Sequence, residues 1–384
     1  MRSPDRAEGP NMIPYLRAAN IKDGSLDLSD VKSMDFNPAE QATYALRVGD
    51  VLVTEGAGSL AAVGASAVWS GEIEGVVCFQ NTLLRLRPRG DTDARFLTWW
   101  ARHAYGSGLL ASVAQGANIY HLGADNMRIL PASVPEPSTQ RAIADYLDAE
   151  ISAMDDLLAK KRRLVELLQE QIDSAIMELV GQSALVQDDH TLRALPVRRE
   201  LAKLDRSPEP EALMVTAFRD GQVTARALRR SEGFTESWTE GARVQGVLQG
   251  DVVVHGLDGF AGAIGTAEAD GVCSPVYHVC APIDGGDAHF YGRMLRLLAT
   301  TGYLGLFATS TRERAVDFRN WDLFGRIPLP VVGVDEQRRI GDRIRRLDPI
   351  RERVARSEVL ISERRQALIT AAVTGQLETP GVAA

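Results

Sequence analysis

Apolar positions along this chain fall into two registers. Short runs such as "DVLVTE" (50–55), "DVVVHG" (251–256) and "VYHVCAP" (276–282) are rich in valine and bounded by Gly, Asp or Pro, which predicts strands. Elsewhere the apolar residues form a narrow stripe. From Thr139 to Val180 there is no glycine or proline, and Ile143, Leu147, Ile151, Met154, Leu158, Val165, Leu168, Ile172 and Leu179 advance in steps of 3, 4 or 7. Ile340, Ile344, Leu347, Val354, Ile361, Leu368 and Ala372 do the same later on. A stripe that narrow is a coiled-coil seam. Each stretch has one seam and no partner of its own, so the two helices are expected to pack on each other. The alternative is a face packed on its own domain. Pro349 is expected to kink or split the second helix.

The chain also repeats itself. "VGDVLV" (48–53) returns as "QGDVVV" (249–254), and "AVG" (62–64) as "AIG" (263–265), both at an offset of 201. "KDG" (22–24) returns as "RDG" (219–221), and "QRAI" (140–143) as "QRRI" (337–340), at 197. Each half runs through the same order. Strands come first: "YALRV", "DVLVTE" and "VVCFQNTLLRLRP" in copy one, "ALMVTAF", "DVVVHG" and "VYHVCAP" in copy two. A helix follows, Arg95–Val113 or His289–Ala308, then a polar loop, "AQGANIYHLGADN" or "TSTRERAVDFRN". A proline-bounded strand, "MRILPASVP" or "FGRIPLPVV", precedes the long helix.

The repeat bears on a nucleotide-like motif. Gly56-Ala57-Gly58-Ser59-Leu60-Ala61 fits the dinucleotide fingerprint after a strand, but copy two has Gly256-Leu257-Asp258-Gly259 there and no such spacing. "SLAAVGASAVW" beyond it suits a second strand better than a phosphate-capping helix, so a tight turn is expected. No G-x-x-x-x-G-K-[ST] is present, and "NPAE" (37–40) does not fit the Asn-Pro-Pro-aromatic motif of adenine methyltransferases. No catalytic residue and no cofactor are therefore expected.

A polar loop, a proline-rich strand, "DEQRRI" and a heptad helix ending "ITAAVTGQL" (369–377), with the whole unit given twice, resemble the specificity subunit of type I restriction-modification systems. The resemblance implies an α/β (α+β) fold. Two target-recognition domains are separated by two long helices in an antiparallel coiled coil, related by a pseudo-twofold. The expected divisions are 1–135 (first domain), 136–182 (central helix), 183–331 (second domain), 332–377 (C-terminal helix) and 378–384 (tail). In that family each domain reads one half of a split DNA target and the helices set the gap. The partners implied are double-stranded DNA, two modification (methyltransferase) subunits docked on the helices, and restriction (endonuclease) subunits reached through the assembled complex. Copy one departs from the pattern. Thr139 stands where copy two has Glu336, "ELVGQ" lacks the threonine of "AVTGQ", and the segment before Met12 is shorter than its equivalent Thr191–Leu213, which suggests a shortened or misassigned start.

Base readout needs donors and acceptors on groove edges, and phosphate contacts hold the register. The polar loops offer Gln115, Asn118, Tyr120 and His121 in copy one, and Thr311, Arg312, Arg314, Arg319 and Asn320 in copy two. A second candidate surface is the turn after the Gly-Asp strand, with Ser59 in copy one and His255 and Asp258 in copy two. Arg85 and Arg87 alternate with Arg89 and as a strand point to one face, a candidate phosphate groove. Arg226, Arg229 and Arg230 cluster similarly, while Trp99 and Trp100 read as core.

The formal charge of −8 does not exclude DNA. Residues 136–180 alone carry 5 Lys+Arg against 10 Asp+Glu, leaving both domains near neutral with room for a local basic patch. Cys78, Cys273 and Cys280 give no even disulfide framework, which fits a reducing compartment. Zinc ligation by Cys273, Cys280, His255 and His278 lacks a C-x-x-C pair, so buried thiols and no metal are expected. With no apolar run long enough for a membrane span, the cytoplasm is the default location. Two other readings stay open: a nucleotide-binding enzyme using the Gly56–Ala61 loop, and a degenerate scaffold that no longer binds DNA.

Overall fold

The structure is a computed structural model and describes residues 6–57, 59–116, 120–185, 194–209, 211–229, 243–307 and 317–377. It divides into two compact units, one of Met1–Ala159 with Arg356–Ala384 and the other of Lys160–Ala355. Each unit therefore takes in part of both long helices.

In the first unit β1 (Met12–Leu16) is followed by a hairpin of β2 (Ile21–Lys22) and β3 (Ser25–Leu26), whose turn has Gly24 at φ 83°. Then come β4 (Lys32–Asp35), α1 (Pro38–Tyr44), β5 (Val51–Thr54), β6 (Gly56–Ala57), β7 (Ser66–Val68), β8 (Cys78–Phe79) and β9 (Leu83–Leu86). After them lie α2 (Ala94–Gly106), α3 (Leu109–Val113), β10 (Tyr120–His121), α4 (Ala124–Arg128) and the start of α5 (Pro137–Leu185). β1 sits between β4 and β8, and β5 between β7 and β9. Val51, Leu52 and Val53 are all fully buried, because β5 is covered on both faces.

The second unit repeats this plan with additions. β11 (Ala194–Pro196), α6 (Val197–Glu200) and β12 (Leu201–Lys203) precede the hairpin of β13 (Val215–Ala217) and β14 (Val223–Ala225). β15 (Gln245–Val247), β16 (Val252–His255), β17 (Ile264–Thr266), β18 (Gly271–Cys273) and β19 (Tyr277–Pro282) follow. Last come α7 (Ala288–Thr300), α8 (Trp321–Phe324), β20 (Pro328–Pro330) and α9 (Val334–Val373). The order β12-β19-β16-β17 matches β9-β5-β7 with one more strand at the edge.

Several expected elements differ, each for a local reason. "YALRV" is not a strand. Asn37 caps Glu40 N–H at 2.9 Å while Glu40 reaches back to Asn37 N–H at 3.0 Å, and this capping box with Pro38 starts α1, which runs through Tyr44. "VVCFQNTLLRLRP" breaks into β8 and β9. The helix from Arg95 divides at Gly108 (φ 76°), and its counterpart stops at Thr300, just before Gly302 (φ 87°). "MRILPASVP" forms no strand, whereas Pro328–Pro330 pairs antiparallel with β11. Among the described residues copy one holds no counterpart of β11 to pair with.

The heptad stripes form two packed sets. In the first unit Ile143, Leu147, Ile151 and Met154 of α5 share a core with Ile361, Leu368 and Ile369 of α9 and with Phe96, Trp99 and Trp100 of α2. In the second, Val165, Leu168, Ile172 and Ile176 join Ile340, Ile344 and Leu347 and the α7 residues Phe290, Met294 and Leu298. Early α5 meets late α9 and late α5 meets early α9, which is antiparallel order. Of the remaining seam positions, Leu158 is buried and Val354 half-buried. The helices thus pack on each other and on their own domains together. Helix α9 runs through Pro349 without a break, so the expected split does not occur.

The repeated "QR-I" motif proves to be a buried lock. Gln140 Oε1 accepts the N–H of Asp93, the N-cap of α2, at 2.9 Å, and its Nε2 donates to Pro135 O at 2.8 Å. Gln337 Oε1 accepts the N–H of Asp287, the N-cap of α7, at 3.1 Å, and its Nε2 donates to Val332 O at 2.7 Å. Both are 2% exposed. Glu336, by contrast, pairs among the described residues with Arg339 at the surface, so Thr139 in its place removes little. Gln337→Ala should therefore lower the stability of its unit by about 1–3 kcal/mol, while Glu336→Thr stays within about 0.5 kcal/mol. Urea unfolding followed by tryptophan fluorescence checks both.

Candidate nucleic-acid interface

Both Gly-Asp motifs build the turn that leads into the central strand. Asp50, 1% exposed, accepts Arg47 N–H at 2.7 Å and both Nε and Nη2 of Arg87 at 2.6 Å. Asp251 accepts Leu248 N–H at 2.8 Å and the guanidinium of Arg206. A buried carboxylate needs such charge-assisted donors, and the two copies supply them from different places, Arg87 just after β9 and Arg206 just after β12. Arg87 is thereby committed to Asp50. Arg85 donates to the carbonyls of Thr43 and Ala45 at 3.1 Å and lies over the Phe79 ring. Both arginines of the candidate phosphate groove are thus engaged within their own domain.

In the first domain the polar loop is tied to the glycine turn. β10 pairs antiparallel with β6, Tyr120 opposite Ala57 and His121 opposite Gly56. Gln115 and His121 exchange backbone hydrogen bonds at 2.9 and 2.7 Å, and Leu122, fully buried, donates to Glu55 O at 2.8 Å. A Cβ on Gly56 would meet the His121 ring at 3.1 Å, so a side chain there would crowd the ring. Gln115 and His121 are exposed and Tyr120 half-buried, with exposed Ser59 on the same turn. Four of the five residues expected to read DNA here are brought to one surface; Asn118 lies outside the described residues.

The second domain makes the same junction with other side chains. Phe318 N–H donates to Gly256 O at 2.8 Å, and Gly256 N–H to Val276 O at 2.9 Å. Phe318 is 2% exposed, and buried His278 donates from Nε2 to its carbonyl while packing against Trp321 and Phe324. Burial pushes the His278 imidazole below its usual range, which keeps it neutral in this contact. Beyond the anchor, Arg319 is exposed and pairs bidentately with Asp317, with Nη2 at 2.6 Å. That pairing holds the Asp317 carboxyl below its ordinary range. Asn320 Oδ1 caps α8 by accepting Asp322 N–H at 2.9 Å. Thr311, Arg312 and Arg314 lie outside the described residues.

Turn and loop, two separate candidates in the sequence, are thus one surface in each domain. Arg219 belongs to it and was missed as a site residue; its Nη2 pairs with Asp258 at 3.0 Å. The signal was there in the repeated "RDG" turn. Arg226 and Arg229 are engaged with Thr216 and Asp220. After Gly56-Ala57 the chain enters a single 3-10 turn, Leu60–Ala62, and then β7, as copy two does through Gly259–Ala261 into β17. Among the described residues no α-helix N-terminus follows the glycines, so the dinucleotide reading finds no phosphate site there. Cys273 and Cys280 are buried free thiols, both pushed up to about 12 by burial.

Comparison with known proteins agrees with the architecture. No family model matches the chain. A chain from a solved structure described as the basis of complex assembly and conformational transition of the type I R-M system superposes with a TM-score of 0.58 at 14% identity, covering 97% of this chain and 96% of that one. The fold is therefore shared with that chain from a type I R-M system. More particularly, the sequence matches specificity subunits: that of the type I restriction enzyme StySPI from Salmonella potsdam is 22% identical over 156 residues, 41% of this chain and 33% of the relative. The EcoKI specificity subunit from Escherichia coli K12 is 23% identical over 159 residues, with 41% and 33% covered. The match spans about a third of the length of these curated relatives.

A Cβ on Gly256 would lie 2.5 Å from Val276 O, a backbone atom that cannot yield, whereas one on Gly305 would meet nothing. Gly256→Ala should weaken the loop–turn junction by roughly 1–3 kcal/mol. Amide exchange of Phe318 should then quicken about tenfold or more, with Gly305→Ala as the unchanged control.

Proposed function

We propose that this chain is the non-catalytic DNA sequence-recognition subunit of a type I restriction-modification complex. Each domain reads one half of a bipartite target through its loop–turn surface, and the paired helices set the spacer and dock two modification subunits. Restriction subunits join through the assembled complex, and catalysis belongs to the partners. The observation that carries this reading is the duplicated junction. At one place in two copies of one fold, a polar loop is tied to a glycine turn by backbone hydrogen bonds while the side chains presented there differ, Gln115, Tyr120, His121 and Ser59 against Arg319, Asn320 and Arg219. A scaffold conserved in backbone and varied in side chains is what reading two unlike half-sites requires.

The division into recognition domains at 1–135 and 183–331, joined by helical parts at 136–182 and 332–377, belongs to this reading. So does a cytoplasmic location; among the described residues no helix is long and apolar enough to cross a membrane.

The test is duplex binding by the chain assembled with modification subunits, across a salt series. Each phosphate contact releases counterions and should contribute about 0.9 log unit of affinity per log unit of salt. A steep fall is expected; a flat response overturns the DNA-reading assignment.

A further inference from the structure

His255 ends β16 and folds its ring back over the turn that follows. Its Nδ1 accepts the backbone N–H groups of Leu257 at 3.1 Å and Asp258 at 3.0 Å. The ring stands edge-on to Tyr277, with centroids 4.5 Å apart. A ring nitrogen that accepts from two amides carries no proton, so the neutral imidazole must hold its hydrogen on Nε2. Nε2 has no partner among the described residues, and the side chain is half-buried at the junction where Gly256 meets Arg319. The backbone has thus fixed both the tautomer and the direction of one hydrogen-bond donor.

The neighbouring charges leave that donor uncontested. Asp258 is paired with Arg219, and Arg226 is held by Thr216 Oγ1 at 2.9 Å. By strand register the equivalent position in the first domain is Thr54, 4% exposed, which presents no ring. The feature is particular to the second domain.

Resting on the DNA-reading assignment, we propose that His255 is a specificity-determining residue of the second domain, a locked Nε2–H donor that reads a hydrogen-bond acceptor on one base edge. Purine N7, guanine O6 and thymine O4 satisfy it, whereas the major-groove edge of cytosine offers only a donor and is rejected. Protonation would set an Nδ1–H against two amide N–H groups and open the turn. Burial depresses the imidazole below its ordinary value against the opposing carboxylate of Asp258, with Arg226 and Arg219 acting in the same direction as burial. The reading form is the neutral one, so selectivity is constant at and above neutral pH and is lost only below the usual histidine range near about 6.5.

The test uses the full chain assembled with its modification subunits and a target library randomised over the second half-site, read by methylation. In His255→Asn the Oδ1 sits where Nδ1 sat and keeps the turn, but the Nε2–H is gone. Discrimination at a single position of the second half-site should fall by about tenfold, with every other position and the first half-site unchanged. His255→Ala removes the cap as well and should weaken the whole second half-site. Wild-type selectivity at that same position should stay level at and above neutral pH and decline only below the usual histidine value of about 6.5. Wild-type discrimination in His255→Asn overturns the role of His255 alone. A wild-type complex with no second half-site preference overturns the DNA-reading assignment with it.

Discussion

A buried amide side chain must satisfy both its oxygen and its nitrogen, and Gln140 and Gln337 do so by holding three segments at one point. Each binds the N-cap of the domain helix, the chain entering the long helix, and through its own backbone the first turn of that helix. That junction fixes where each long helix leaves its domain and which face its apolar stripe presents. The seams of α5 and α9 can then meet while their flanks rest on α2 in one unit and α7 in the other. Arg365–Asp155 in the first unit and Arg293–Asp173 in the second add ion pairs along these helices.

The same division of labour runs through the candidate interface. Backbone and buried groups make the frame: Asp50 and Asp251 under their turns, Leu122 and Phe318 as anchors, Gly56 and Gly256 as points of close approach. Exposed side chains supply what differs. Arg319 and Arg219 are held by carboxylates that are themselves exposed, and such surface pairs are weak, about 0–1 kcal/mol, so a better acceptor can displace them. The second domain therefore combines two exchangeable arginines with one fixed imidazole donor.

Much of this was legible in the sequence, for physical reasons. The long helices announced themselves through an uninterrupted heptad stripe, and the duplication through repeated motifs that turn out to be the Gly-Asp turn and the buried glutamine. What the sequence hid was decided by tertiary partners. Pro328–Pro330 is a strand because β11 lies beside it, and the equivalent "PAS" (131–133) is not, since no such partner lies beside it among the described residues. Arg85 and Arg87 alternate as a phosphate-facing row would, but their destination was a buried aspartate and two carbonyls. "YALRV" read as a strand, but the capping box at Asn37 starts a helix that runs through Tyr44. The union of turn and loop into one surface depends on β6 pairing with β10, two residues each, which no periodicity reveals.

The proposed reading makes the paired helices a ruler between two DNA-reading domains. Inserting one heptad in each long helix, near Lys161 and near Glu358, keeps both seams in phase and lengthens the pair by about 10 Å. At about 3.4 Å per base pair, base-resolved methylation mapping of the assembled complex should find the spacer longer by up to roughly three base pairs, with both half-site sequences unaltered. An active insertion variant whose spacer is unchanged would contradict the account.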